Sequence, residues 1–207
     1  PRNMPSEDSI VSAAAIIKQS ISPVIIAGGG VIYSEAEKVL NEFCNNTGIP
    51  IGETQAGKGA LPWNHSQNLG AIGVTGTSAA NIISKDADLV ICIGTRLSDF
   101  TTASKTLFQN PGVKFLSINV SSFDAHKHSS ASLIGDAKKC LERLNHLLKN
   151  DGFSISVKYR AEIKQHKNDW NQEVDRIFNL DNQPAVSQGE VIGVISNCMN
   201  EDDVVVC

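Results

Sequence analysis

Five short segments carry the residue types best suited to chemistry: Gly28–Gly30, Thr54–Gly59 (TQAGKG), Gly73–Asn81 (GVTGTSAAN), Gly94–Asp99 (GTRLSD) and Asn119–Asp124 (NVSSFD). Glycines let a backbone approach a ligand closely, and hydroxyl and amide side chains offer hydrogen bonds. Lys58 and Arg96 add positive charge. Thr75, Thr77 and free N–H groups leading into a helix suit the holding of an anion. A plainer reading stands beside this one, because small residues after strands also make tight turns into helices. For any single loop the turn reading is the simpler; for five loops on one edge both readings stay open.

Several motifs come close and fail. Gly28–Gly30 begins like a dinucleotide fingerprint, but G-x-G-x-x-G requires a glycine where Tyr33 stands. Gly52–Gly59 reads G-x-x-x-x-G-K-G, with Gly59 where a P-loop needs a hydroxyl for magnesium, and Pro62 follows where it needs a helix. His126 and His128, with Asp124 nearby, lack a third clear ligand and read as a solvated loop. No nucleophile setting of the G-x-S-x-G kind occurs. Asp99 and Arg96 are close enough in sequence to pair with each other rather than with a substrate.

The elements that must position these segments follow from apolar patterning. Residues 7–20 have helical spacing with Ser6 as N-cap, and Pro23–Ala27 is a buried strand running into a tight glycine turn. Ser34–Asn46 reads as a helix capped by Ser34, and Ile49–Thr54 as a second strand. Ser78–Ala87 follows as a helix, Asp88–Gly94 and Val113–Val120 as strands, and Asp136–Asn150 as an amphipathic helix. Strands that are apolar throughout and alternate with helices predict an α/β, Rossmann-like, doubly wound parallel sheet with helices on both faces. In such a sheet the loops after the strands gather at the carboxyl edge, where ligands bind.

Beyond residue 150 the character changes. Tyr159–Phe178 is a charged helix with Trp170, Val174 and Ile177 on one stripe, Asp181–Ser187 a linker, Gln188–Met199 a helix and Val204–Cys207 a strand. This predicts a central domain over 1–150, a connecting arm over 151–187 and the start of another domain over 188–207. A chain without an initiator Met that stops in an apolar run is expected to continue into that domain.

Composition narrows the classes. The chain has 207 residues, 41% hydrophobic and 19% charged, with a net charge of −4. That balance permits a sizeable core and argues against a nucleic-acid partner. No apolar run reaches the roughly 18 residues of a membrane span, so no membrane partner is expected. Five scattered cysteines with no CxxC pair argue against a disulfide framework and for a cytoplasmic setting.

PVIIAGGG, the T-x-x-GKG segment from Thr54, G-x-x-GT-x-x-AN from Gly73 to Asn81, ADLVICIGTRLSDF and KFLSINV occur in an order that resembles the central domain of the thiamine diphosphate enzymes related to acetolactate synthase. The resemblance spans most of residues 8–150. Through ETQAGKGALPW, GAIGVTGTSAAN and TRLSDFTTASK the chain looks closest to the trihydroxycyclohexane-dione hydrolases of inositol catabolism. Acetolactate synthase relatives usually carry G-x-R-F-D-D-R where this chain has Gly94 to Phe100.

The resemblance implies a full-length hydrolase that opens a cyclic 1,2-dione by cleaving a carbon–carbon bond. Thiamine diphosphate, anchored by Mg2+, would attack a carbonyl and serve as electron sink. In this family the activating glutamate and the GDG…N magnesium motif lie in the other two domains, so no catalytic residue and no metal ligand is assigned here. The implied partners are the enzyme's own N- and C-terminal domains, the small-molecule substrate, and further copies in a homodimer or homotetramer. The fragment alone is expected to be inactive and structural. The alternative is an FAD- or ADP-binding middle domain of an acetolactate synthase-like carboligase or decarboxylase. Carry-over for a nucleotide points to Gly28, Gly29, Gly30, Lys58, Gly76, Thr77, Asn81, Gly94, Thr95 and Arg96. One departure stands against it: Asn119-Val120-Ser121 replaces the acidic D-x-D pattern that nucleotide binders often carry after the fourth strand.

Overall fold

The computed structural model describes residues 2–200 and 202–204, so the last part of the expected strand at Val204–Cys207 lies outside the described residues. The chain divides into two units, Pro1–His166 and Lys167–Cys207.

In the first unit, β1 (Pro23–Ala27) and β4 (Leu89–Ile93) are buried at every position. Side chains alternate between the faces of a strand, so burial of all five positions means that both faces are covered. Their register pairs Val24 with Val90 and Ile26 with Cys92, all parallel. Outside them lie β2 (Ile51–Glu53), β3 (Asn68–Ala71), β5 (Lys114–Asn119) and β6 (Ala131–Ile134). The order is β3-β2-β1-β4-β5-β6, every pairing parallel. That is the doubly wound arrangement expected, and the strand order reverses between β1 and β4, where such sheets open a crevice.

The helices around the sheet are α1 (Glu7–Gln19), α2 (Gly29–Tyr33), α3 (Glu37–Thr47), α4 (Ser78–Asp86), α5 (Ser122–Ala125) and α6 (Ala137–Asn150). Ser6 caps α1 by accepting the Ser9 N–H, and Asp136 caps α6 by accepting that of Lys139. The core sits between helices and sheet on fully buried side chains such as Ile10, Ile17, Ile25, Phe43 and Ile91.

Several local expectations are corrected. Gly28–Gly30 is not a plain turn: Gly28 caps the short α2, which runs on to Tyr33. Ser34 caps no following helix; its hydroxyl donates back to the Gly30 carbonyl at 2.7 Å. The next helix, α3, starts at Glu37 behind Ala36, which makes no side-chain cap. Strands β3 and β6 were not anticipated, and β2 is shorter than the 49–54 segment that suggested it.

Helix α7 (Val157–Phe178) begins in the first unit, where the buried Tyr159 hydroxyl donates to the Pro23 carbonyl at 3.1 Å. The second unit holds the rest of α7 and α8 (Gln188–Cys198). Helix α8 opens with a reciprocal cap: Ser187 Oγ accepts the Glu190 N–H at 3.2 Å, and the Glu190 carboxylate accepts the Ser187 N–H at 2.6 Å. Gly193 lies against Phe178, where an added Cβ would come within 2.7 Å of the ring.

Candidate functional site

At the carboxyl ends of β1, β4 and β5 lies an open cavity of about 620 Å³. Its walls come from four of the five segments singled out in the sequence, through Gly28–Gly30, Thr54–Ala56, Gly94–Arg96 and Asn119–Val120. The N-terminal end of α6 at Gly135–Ala137 also lines it, as do Tyr33, Ser98, Phe100, Thr101 and Asp124.

Of the ten residues expected at a ligand site, Gly28, Gly29, Gly30, Gly94, Thr95 and Arg96 line this cavity, and Lys58, Gly76, Thr77 and Asn81 do not. The last three are occupied in holding their own loop. Thr77 Oγ1 donates to the Leu69 carbonyl at 2.6 Å and accepts the Ala80 N–H at 3.0 Å as the cap of α4. Asn81 accepts from the Gly73 N–H and donates to the Gly73 carbonyl, each at 3.0 Å. A Cβ at Gly76 would sit 2.8 Å from the Asn81 Oδ1. Lys58 reaches the buried Glu53 carboxylate at 3.7 Å, and the other oxygen of Glu53 accepts the Leu61 N–H at 3.1 Å. Sequence spacing did not reveal Glu53 as the anchor of this loop, since nothing local marks its side chain as buried.

The glycines at the floor face one another. Gly28 N–H donates to the Ile93 carbonyl at 2.8 Å, and Gly30 N–H to that of Gly94 at 3.1 Å. A Cβ at Gly30 would lie 2.6 Å from Gly94 Cα, and one at Gly28 would meet the Gly94 carbonyl and lie 2.7 Å from Thr95 Cβ. Gly94 itself has φ +59, a conformation in which a side chain is strained. Close approach of two backbone turns is therefore sufficient reason for these glycines.

Most polar side chains lining the cavity are already engaged. Asn119 donates to the Thr95 carbonyl at 3.1 Å and accepts the Ser121 N–H at 3.0 Å. Asp136 accepts from Arg2 at 2.9 Å. Asp124 accepts from Lys127 at 2.8 Å, and this hydrogen bond, outweighing partial burial, holds its carboxyl below the usual carboxylate range. Ser98 and Thr101 bond to each other at 3.2 Å. Arg96 is exposed and forms no hydrogen bond or ion pair through its guanidinium among the described residues, so the pairing with Asp99 is not made; it acts on Asp124 only at longer range.

Among the described residues this arrangement offers a concave surface and one cation, Arg96, without an ion pair. Among the described residues no three His, Cys, Asp or Glu side chains converge as a metal would require. No described helix is long and apolar enough to cross a membrane.

The chain is 48% identical over 200 residues to a 3D-(3,5/4)-trihydroxycyclohexane-1,2-dione hydrolase of Clostridium tetani (strain Massachusetts / E88), covering 97% of this chain and 31% of that protein. It is 43% identical over 228 aligned positions to the protein of the same name from Clostridium botulinum (strain Alaska E43 / Type E3), covering 99% and 35%. For the Bacillus anthracis (strain CDC 684 / NRRL 3495) protein of that name the identity is 46%, with 97% and 31% covered. The chain thus spans about a third of the length of these curated relatives. The family described as thiamine pyrophosphate enzyme, central domain, matches residues 10–144, and the chain belongs to that family.

Proposed function

We propose that the full-length protein is a thiamine diphosphate-dependent hydrolase that cleaves a carbon–carbon bond in a cyclic 1,2-dione, and that residues 1–150 are its structural, interface-forming central domain. The observation that carries this is identity of 43–48% with relatives bearing that hydrolase name, sustained over 97–99% of the chain. Thiamine diphosphate, when bound, supplies the electron sink for cleavage. On this reading the cofactor and its magnesium are held by the domains outside this chain. This chain's own contribution is to hold a rigid parallel sheet whose carboxyl edge faces its neighbours. Residues 151–187 serve as the connecting arm and 188–207 as the start of the next domain, a reading supported by exposed Val191, Ile192, Val194 and Ile195 on α8. A cytoplasmic homo-oligomer within inositol catabolism belongs to the same reading.

Nucleotide binding by this domain is the weaker reading. Gly28–Gly30 and Gly94–Arg96 frame a cavity of suitable size, but Lys58, Gly76, Thr77 and Asn81 lie away from it, and Asn119 offers no carboxylate for a ribose. The test is turnover of the dione by the full-length enzyme before and after removal of thiamine diphosphate and Mg2+. Turnover that survives removal of both overturns the hydrolase reading. Calorimetric titration of this chain with FAD and ADP tests the second reading, and saturable binding that Arg96→Ala weakens would restore it.

A further inference from the structure

The cavity described above has an uneven chemistry. Its polar side chains are mostly spent on internal hydrogen bonds, while apolar groups around its mouth stand in solvent. Tyr33 is 90% exposed, Val120 68% and Phe100 48%, and all three line the cavity. Phe123, beside the lining residue Asp124, is 79% exposed. Apolar side chains gathered around a concavity mark an interaction surface. A small polar cofactor would need convergent hydrogen-bonding groups, and Asn119, Asp124, Asp136, Ser98 and Thr101 are engaged elsewhere. Among the described residues that line the cavity, Arg96 is the basic one, and its guanidinium makes no ion pair with them.

We propose that this mouth is covered in the full-length enzyme by a segment of the same polypeptide from outside residues 1–207, apolar over a few residues and carrying one carboxylate that pairs with Arg96. The inference rests on the reading of this chain as one domain of a longer enzyme. The relatives provide ample chain for it, since some two-thirds of their length lies beyond the aligned part. A protein segment fits better than a nucleotide on two counts. It buries the exposed aromatic and branched side chains, and it supplies one negative charge without asking for a ribose-binding carboxylate. The pairing is bidentate in kind, because a guanidinium presents two parallel N–H groups to a carboxylate.

The test is site-specific photo-crosslinking in the full-length enzyme with Phe123→p-benzoylphenylalanine, and with Tyr33→p-benzoylphenylalanine as a second probe should the first fail to fold. After irradiation the expected product migrates as a monomer, and mass spectrometry places the crosslink on a peptide outside residues 1–207. Arg96→Glu in the same background is expected to lower the crosslink yield several-fold. A crosslinked dimer shows that a second copy covers the mouth and overturns the proposal. So does a crosslink confined to residues 1–207, an absence of any protein crosslink, or loss of the crosslink on adding ADP or FAD. An unchanged yield with Arg96→Glu removes the carboxylate from it. Dione turnover is measured separately on the same enzyme, so failure of the hydrolase reading and failure of this one are told apart.

Discussion

Replacing Gly94 with alanine tests whether the glycines of the cavity floor exist for packing or for a ligand. Two costs add at this position. Gly94 has φ +59, and a Cβ in the left-handed region costs about 1 kcal/mol. The new methyl would also press on Gly30, with its carbonyl carbon at 2.8 Å and its nitrogen at 2.9 Å. Carbon contacts settle at about 3.5–4.0 Å, so one backbone turn must move by most of an ångström, which costs about 1–3 kcal/mol. The expected total is about 2–4 kcal/mol. With an m-value of about 2 kcal/mol/M, the urea midpoint falls by about 1–2 M. Gly59→Ala is the control: its φ is +87 but nothing lies within 4 Å of the added methyl. It carries the strain without the collision and should lose about 1 kcal/mol. Gly30→Ala carries the collision without the strain, at 2.6 Å from Gly94 Cα. If Gly94→Ala and Gly30→Ala both lose no more than Gly59→Ala, the two turns yield freely. The packing account of these glycines is then wrong, and a ligand's close approach becomes the better reason for them.

Burial pushes the Cys44 and Cys92 thiols up to about 12, against about 8.5 in an unfolded chain. Above pH 8.5 the unfolded chain releases these protons while the folded one keeps them, so stability is full below that pH and falls as pH rises toward 12. The slope is about 1.4 kcal/mol per pH unit for each thiol. Urea titrations at pH 9 and pH 10 should therefore show a flatter decline in the Cys44→Ala/Cys92→Ala double variant than in the native chain; equal slopes would refute the assignment. Tyr159→Phe removes the donor to the Pro23 carbonyl and should cost about 1–2 kcal/mol in the same measurement. No loss would mean that the hydroxyl carries no part of the anchoring of α7 on β1.

What was legible in the sequence follows from burial. Strands β1 and β4 are covered on both faces, so they read as unbroken apolar runs, and β5 is buried over its last four residues. Strands β3 (NLGA) and β6 (ASLI) are four-residue edge strands, partly buried, in which one or two large aliphatic residues stand among small or polar ones, too short a pattern to mark a strand without the neighbour each pairs with. The misplaced helix start at Ser34 has a similar cause. Its hydroxyl bonds backward to Gly30, and Glu35 turns the chain at φ 55 before α3 begins. A serine ahead of an apolar-periodic stretch looks the same in sequence whether it caps the next helix or closes the last one. The gathering of loops at one edge was readable from the alternation of strands and helices. The engagement of Lys58, Thr77 and Asn81 was not, because it depends on how each loop folds back on itself.

Asn119 shows how a single departure from a family pattern acquires a physical meaning once its partners are known. Its amide donates to the Thr95 carbonyl and its oxygen accepts the Ser121 N–H, so it ties the loop after β4 to the loop after β5. An ionised aspartate could accept from Ser121 but has no proton for Thr95, and it would set a carboxylate against a carbonyl oxygen near the cavity wall. The amide is thus the residue type that satisfies both neighbours, and the same choice removes the acceptor a ribose diol would seek. The same amide that joins the two loops leaves no carboxylate at this point of the cavity wall. The carboxyl edge is thus braced by its own side chains, as the proposed role beside neighbouring domains requires.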